Sequence, residues 1–461
     1  MIRVFLYLTL ALLFLKVGAV ISTSFSFFGD EAQYWLWSKR LDFGYLSKPP
    51  LLAWIISMHS FVFGDFFTSL KTIPIYFYVL TSLAVYKLCN KLEMSKEASA
   101  LCALSFLIMP GVSLSSFLIS TDVILLLFWT LSLCFLLEIK KRPTNTNFII
   151  LGILLGLAFL AKYAAIYFFV CFFILVVFDK NLRNLFFKKN ISFILLLVVF
   201  VLTVSPNIIW NYNNEWVTLS HTSSNANLKN TNLNIGGAAL FLTTQVLMIG
   251  PVLFFGFLIN IKKISFDKNN LFLLCFSLPV VFIVLVESIL VRANANWAAV
   301  ALVSLLVFFV RFLLNFKEVF IRLNFYLNFL IGALLFFLIA SSADLRVFDR
   351  ITGIDNFSKR LLHDLNKTQI LVVSDRLLYS NLAYLYRNKN ISLYMPIAPD
   401  QKITKHFQIS SPLDKNINKS FLYIGPLPEI SYLSNKRKTR VVKEFAPKFL
   451  SSSIKVYEVT F

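Results

Sequence analysis

Asp30, Glu31, Asp42 and Lys48 lie within the stretch FFGDEAQYWLWSKRLDFGYLSKPPLLAW, residues 27–54, directly after the first apolar run and among closely spaced aromatic side chains. Charge in such a place is either an orientation signal or a working site. The adjacent carboxylates of Asp30 and Glu31 suit a helix N-terminus, where acidic side chains offset the helix dipole. In a loop packed with aromatics they equally suit a general base beside a sugar. Pro49 and Pro50 impose an extended entry followed by a helix start, because proline is favoured at the first helical position. Lys48 is thereby held just ahead of a helix N-terminus, where a cation and unsatisfied backbone N–H groups together receive phosphate. The competing reading is a lysine that snorkels to lipid headgroups.

Four further places carry polar chemistry. Asp122, preceded by Thr121, opens the apolar run VILLLFWTLSLCFLL. An aspartate there caps a helix, but acidic side chains at membrane depth point by default to function. Lys162 is the only charge between two apolar runs. Arg292, ahead of ANANW with its Asn296 and Trp297, either pairs with Glu287 or clamps a phosphate through two parallel hydrogen bonds. His221 lies in NIIWNYNNEWVTLSHTSSNANLKN, residues 207–230, a segment rich in the amide, hydroxyl and aromatic groups that hold sugars. The histidine there is either solvated or a metal ligand.

The elements that must position these residues are dictated by composition. Of 461 residues, 58% are hydrophobic and only 15% charged, against about 25% charged in soluble domains. Long apolar runs recur from residue 4 to residue 340, which makes the chain a polytopic α-helical membrane protein. The net charge of +21 is concentrated in short loops between those runs, the distribution of an orientation signal and not of a nucleic-acid surface. Cys89, Cys102, Cys134, Cys171 and Cys275 all fall in or beside apolar runs without close spacing, which excludes a disulfide framework or zinc cluster. The N-terminal run is interrupted by Lys16 and lacks an A-x-A site, so it reads as an uncleaved first span.

Eleven spans are expected, near residues 4–22, 72–90, 98–114, 121–138, 147–161, 163–178, 191–210, 237–261, 270–290, 297–315 and 322–341. Residues 50–63 are too short to cross and read as a helix at the interface. One set of loops holds sixteen lysines and arginines and the alternate set seven, which places the N-terminus in the cytoplasm. Every polar cluster named above then falls on the outer face, with residues 23–71 as the first outer loop. Residues 1–341 form the membrane domain. From 342 to 461, runs such as QILVV, ISLYM, SFLYIG and IKVYEVTF alternate with charged and turn-forming stretches, as in a small α/β domain on the outer face.

The ordered set GDEAQYWLWSKRL…GYLSKPPLLAW, STD at the head of a later span, LAKY, SPNIIWN…EWVTLSH and ANANW resembles bacterial membrane glycosyltransferases of the GT-C superfamily. More narrowly, it is similar to the protein-mannosyltransferase-like group that includes the lipid A aminoarabinose transferases (glycosyltransferase 39/83-type), over roughly residues 25–320. The resemblance implies transfer, with inversion, of a sugar from a polyprenyl-phosphate donor on the periplasmic side of a bacterial inner membrane. It implies an envelope glycolipid of the lipid A or lipopolysaccharide type as acceptor, with protein hydroxyls second. Asp30 matches the candidate general base, with Glu31 beside it, and Asp122 matches a second acidic position that orients substrate or metal. Lys48, with Tyr45, matches a contact to the donor phosphate; Lys162 matches a cation near the cavity, and Arg292 neutralises the departing phosphate, ahead of Asn296 and Trp297. Ser47 departs from the pattern, since an acidic residue, or an Asp-His pair, is usual there. A metal site built on that carboxylate is therefore not expected; a divalent metal held elsewhere stays open, with His221 as a weak candidate ligand. The alternative, a transporter or flippase of lipid-linked sugars, calls for charged or broken helices near mid-membrane and internal repeats; the sequence shows neither.

Overall fold

The computed structural model describes residues 1–226, 233–349, 351, 354, 357, 358, 360, 361, 369–399, 401–433, 437–445 and 453–461. Part of the expected sugar-holding segment, residues 227–230 with Lys229, lies outside the described residues. The helices are α1 (Ile2–Ser22), α2 (Gly29–Ser38), α3 (Leu51–Phe63), α4 (Phe67–Leu70), α5 (Thr72–Lys91), α6 (Lys96–Ile108) and α7 (Pro110–Ser115). They continue as α8 (Thr121–Lys141), α9 (Asn145–Ala161), α10 (Tyr167–Phe178), α11 (Lys180–Lys188), α12 (Asn190–Asn213) and α13 (Val217–Ala226). Then come α14 (Ile235–Ile249), α15 (Pro251–Asn260), α16 (Lys268–Cys275), α17 (Leu278–Leu290), α18 (Ala299–Leu314) and α19 (Glu318–Ala340). The C-terminal part holds α20 (Arg376–Leu385), α21 (Phe407–Ser410) and the strands β1 (Ile370–Val373), β2 (Ser392–Tyr394), β3 (Phe421–Ile424), β4 (Lys438–Phe445) and β5 (Ile454–Thr460).

Each stretch expected to span contains helix. Among the described residues, seven helices are long and apolar enough to cross a membrane by themselves, or up to nine if each of two bent pairs is one span. The chain is a multi-pass membrane protein, and the count of eleven exceeds what length and composition alone establish. The bends are a departure from the sequence reading, which found no broken helix. α14 and α15 meet at 101° because Gly250, at φ +118°, takes a backbone conformation that L side chains rarely adopt, and Pro251 then starts a new helix. A Cβ on Gly250 would also stand 2.3 Å from the Asn324 side chain, so the corner is filled as well as turned. The sequence reading also left Lys16 without a partner. It is fully buried in α1, donates to the Leu107 carbonyl at 3.3 Å beside the α6–α7 break, and lies over the Phe336 ring.

Two features of the fold position the site. α8 and α9 form an antiparallel hairpin joined by residues 142–144, so the start of α8 and the end of α9 come to the same end of the bundle. The C-terminal domain is a five-stranded sheet of order β2-β1-β3-β5-β4. Strands β2, β1 and β3 are parallel, and β5 and β4 are added antiparallel. β1 feeds through Ser374 and Asp375 into α20, with β2 and β3 on its two sides, so residues at its carboxyl end sit at a topological switch point.

Candidate active site between the first loop and the C-terminal domain

α2 begins at Gly29, and Asp30 and Glu31 lie in its first turn, as the dipole argument requires. Their environments differ sharply. Glu31 is 1% exposed and its oxygens accept from Lys71 Nζ at 2.7 and 2.8 Å, from the Phe28 N–H at 2.8 Å and from the Ile119 N–H at 2.7 Å. It locks α2 to the start of α5 and to the segment leading into α8. The Asp30 side chain is 41% exposed; its Oδ1 accepts from Arg376 at 2.9 Å, and Arg376 also donates to Gln33 Oε1 at 2.6 Å.

The chain then turns at Tyr45–Lys48, where the Tyr45 N–H donates to the Lys48 carbonyl at 3.1 Å, and α3 starts at Leu51 directly after the proline pair. Lys48 is half-buried, and among the described residues it forms no ion pair. Burial first, then the charge of Lys162, holds its ammonium below the usual lysine range. Tyr45 supports this turn from beneath: its ring stacks on Trp37 at 4.5 Å, its hydroxyl donates to the Trp37 carbonyl at 3.1 Å, and it lines neither cavity described below. Burial pushes the Tyr45 hydroxyl up to about 12.

The α8–α9 hairpin brings Asp122, in the first turn of α8, to Lys162, which ends α9 in extended backbone. Lys162 Nζ donates to Asp122 Oδ1 at 2.6 Å, and Asn296 Nδ2 donates to Oδ2 at 2.8 Å. Asn296 arrives on the loop between α17 and α18, which Gln245 holds by donating to the Ala295 carbonyl at 2.9 Å.

Two adjoining cavities meet at Asp30, Tyr34, Lys48, Lys162, Asn294 and Trp297, which line both. The first, about 530 Å³, also takes in Ser47, Tyr163, His221, Glu287, Arg292, Arg376 and His406. The second, about 560 Å³, takes in Glu31, Asp122 and Asn296, and continues along apolar side chains including Phe106, Met109, Val112, Leu126, Met248 and Leu302. The structure therefore gathers Asp30, Lys48, Lys162, Arg292, Trp297 and His221 around the polar cavity, and Glu31, Asp122 and Asn296 around the apolar one. Among the described residues no three His, Cys, Asp or Glu side chains gather as a metal-ligand set. His221 stands near Arg376 and Lys48, and burial together with those charges holds its imidazole below the usual range.

Sequence reasoning missed Arg376 and His406. Arg376 lies 346 positions from Asp30 in a domain whose sequence carries no chemical motif, so no spacing could link them. His406 packs edge-on against Trp37 and Tyr45, both at 5.4 Å, and burial lowers it to about 4.

Comparison with known proteins bears out the resemblance to GT-C glycosyltransferases. Residues 47–210 match the family described as dolichyl-phosphate-mannose-protein mannosyltransferase. The lipid A galacturonosyltransferase RgtD of Rhizobium johnstonii is 29% identical over 286 residues, 60% of this chain and 59% of that protein. The match thus spans about 59% of the length of that curated relative. The crystal structure of ArnT from Cupriavidus metallidurans bound to undecaprenyl phosphate superposes with a TM-score of 0.63 at 12% identity, over 99% of this chain and 97% of that one. Its apo form gives 0.61 at 10% identity. The chain has the ArnT-like GT-C fold, with a small C-terminal sheet domain.

Proposed function

From a chain with the GT-C fold, we propose an integral membrane glycosyltransferase that moves a sugar from a polyprenyl-phosphate donor to an envelope glycolipid of the lipid A type. The observation that carries this reading is the junction of a polar cavity and an apolar one at Asp30, Lys48 and Lys162. An amphiphilic donor needs such a junction, with its phosphate and sugar in the polar part and its first isoprene units in the apolar part. RgtD and ArnT, named for lipid A galacturonosyl transfer and crystallised with undecaprenyl phosphate respectively, support the same donor and acceptor classes.

The reaction breaks the bond between the anomeric carbon and the phosphate oxygen. The departing phosphate is weakly basic and needs no general acid, only cations that meet its growing charge. Lys48 and Arg292, both without an ion pair among the described residues, have that role. The acceptor hydroxyl attacks from the opposite face, inverting the centre, and Asp30 takes its proton. If the acceptor group is itself a phosphate, Asp30 serves instead to stabilise positive charge at the sugar. Asp122, with both oxygens engaged, orients Lys162 and Asn296, while Glu31 and Tyr45 position α2 and the Lys48 turn. Trp297 forms part of the wall between the cavities.

Residues 1–341 are the membrane catalytic domain and 342–461 the periplasmic domain of an inner-membrane enzyme with a cytoplasmic N-terminus. The two bends, at Gly250 and between α10 and α11, favour a transporter, since broken helices are common there. Both readings are tested by incubating the purified protein with undecaprenyl phosphate carrying labelled galacturonate and with lipid A. Transfer of label to lipid A is expected, with a loss of about 100-fold or more in Asp30→Asn. Wild-type turnover in Asp30→Asn with a hydroxyl acceptor removes the general base, and label that never leaves the donor removes the enzyme.

A further inference from the structure

We infer that Arg376, supplied by the C-terminal domain, is a positioning residue that holds Asp30 in the geometry its proton transfer requires. This rests on the general-base reading of Asp30. Arg376 binds one carboxylate oxygen, Oδ1, at 2.9 Å and the Gln33 side chain one turn along α2 at 2.6 Å. The two contacts tie the guanidinium to consecutive turns of the same helix. Asp30 Oδ2 has no hydrogen-bond partner among the described residues, so it is left to accept a proton. An unrestrained aspartate on a first helical turn samples several rotamers, and a misplacement of about 1 Å can cost on the order of 100-fold in rate.

The placement of Arg376 argues for a specific task. It is the first residue of α20, where the helix dipole disfavours a cation. Asp375 is occupied in capping that helix, its Oδ1 accepting from the Leu377 and Leu378 N–H groups at 2.9 and 2.8 Å. The carboxylate that meets the guanidinium therefore comes from α2, in the other domain.

The domains are docked firmly enough for this to matter. A Cβ on Gly29 would come within 2.7 Å of the Leu377 side chain, so α2 and α20 touch where only glycine fits. Tyr384 of α20 packs edge-on against Phe27 at 4.7 Å and Trp35 at 4.9 Å, and its hydroxyl donates to the Asp65 carbonyl at 3.2 Å. Arg40 closes the far end by donating to the Ser410 carbonyl at 2.6 Å. The C-terminal domain thus completes the catalytic wall of the membrane domain.

The test is a double-mutant cycle in the full-length protein with the labelled undecaprenyl-phosphate galacturonate and lipid A. Arg376→Ala is expected to lower kcat about 10- to 100-fold with the donor KM within about 3-fold of wild type, and Arg376→Lys to restore part of kcat. In an Asp30→Asn background Arg376→Ala should add less than about 3-fold, because the group it positions is gone. Undecaprenyl phosphate binding, unchanged in Arg376→Ala, shows that the site has folded; if that variant does not survive purification, Arg376→Gln carries the same comparison. Full multiplicative loss in the Asp30→Asn background, a rise in donor KM alone, or wild-type kcat in Arg376→Ala overturns the inference while leaving the general base in place. Wild-type turnover in Asp30→Asn overturns both.

Discussion

Under the proposed function, Glu31, buried against Lys71, is a structural carboxylate and Asp30 the chemical one. The Lys71 ammonium spends its three donors on the two Glu31 oxygens, at 2.7 and 2.8 Å, and on the Phe117 carbonyl at 2.8 Å, with 0% and 1% of the two side chains exposed. Lys71→Met leaves a carboxylate with two N–H donors but no countercharge, and breaking one side of such a buried pair costs about 3–5 kcal/mol. Glu31→Gln leaves the ammonium unneutralised and should cost a similar amount. In the double variant the charges are gone, and a glutamine still accepts from one backbone N–H while its amide donates to a carbonyl. What remains is about one orphaned N–H, or roughly 1–3 kcal/mol. The second substitution should therefore rescue the first by about 2 kcal/mol instead of adding to it. Thermal unfolding in detergent, followed by tryptophan emission, reads this directly, and turnover is normalised to the folded fraction. A double variant as unstable as the sum of the singles would refute the pairing. A stably folded Glu31→Gln that had lost more than about 100-fold in turnover would refute the positioning role and return Glu31 to the chemistry.

Two further outcomes follow from the same geometry. Because burial lowers the Lys48 pKa, its ammonium discharges earlier on raising pH than an exposed lysine at about 10.4, so undecaprenyl phosphate binding should weaken as pH rises through the alkaline range. Lys48→Arg, whose guanidinium stays charged, should flatten that decline; an unchanged decline assigns the titration to another group. For sidedness, a reporter inserted after Thr144 should be active in the cytoplasm and one after Lys389 only outside; both active on one side would overturn the topology.

Membrane character was legible because apolar runs and loop charge are local in sequence, and so was α3, whose start after Pro50 is written in the proline pair. Asp122, Lys162 and the ANANW segment were legible as charges and amides on one membrane face, able to share a pocket, but not as a hydrogen-bonded set. Their meeting depends on which helices are neighbours, and nothing in a single span records that. The Glu31–Lys71 pair was hidden for a related reason: Lys71 reads as one more loop lysine, and only its burial reveals that it is a partner. The bend at Gly250 escaped notice because hydropathy is continuous across it; the Gly-Pro dipeptide was the available signal. Arg376 had no signal at all, since its role is created by the docking of two domains.

Asp122 makes no capping hydrogen bond, because Lys162 and Asn296 engage both of its oxygens; the helix dipoles support the Asp122–Lys162 pair instead. Asp122 stands at the positive N-terminal end of α8, and Lys162 at the negative C-terminal end of α9. Each charge lies where its own helix dipole stabilises it, by about 0.3–1 kcal/mol at exposed positions and more where solvent is excluded. Their mutual hydrogen bond at 2.6 Å and the Asn296 contact at 2.8 Å then satisfy what desolvation would otherwise leave costly. A hairpin end can therefore keep an ion pair at the cavity wall with little strain, and a charge that its helix dipole stabilises is thereby available to meet a ligand. Asp30 has the same dipole advantage at the start of α2. Arg376 lies at the unfavourable end of its helix, and the Asp30 carboxylate that it meets offsets that cost.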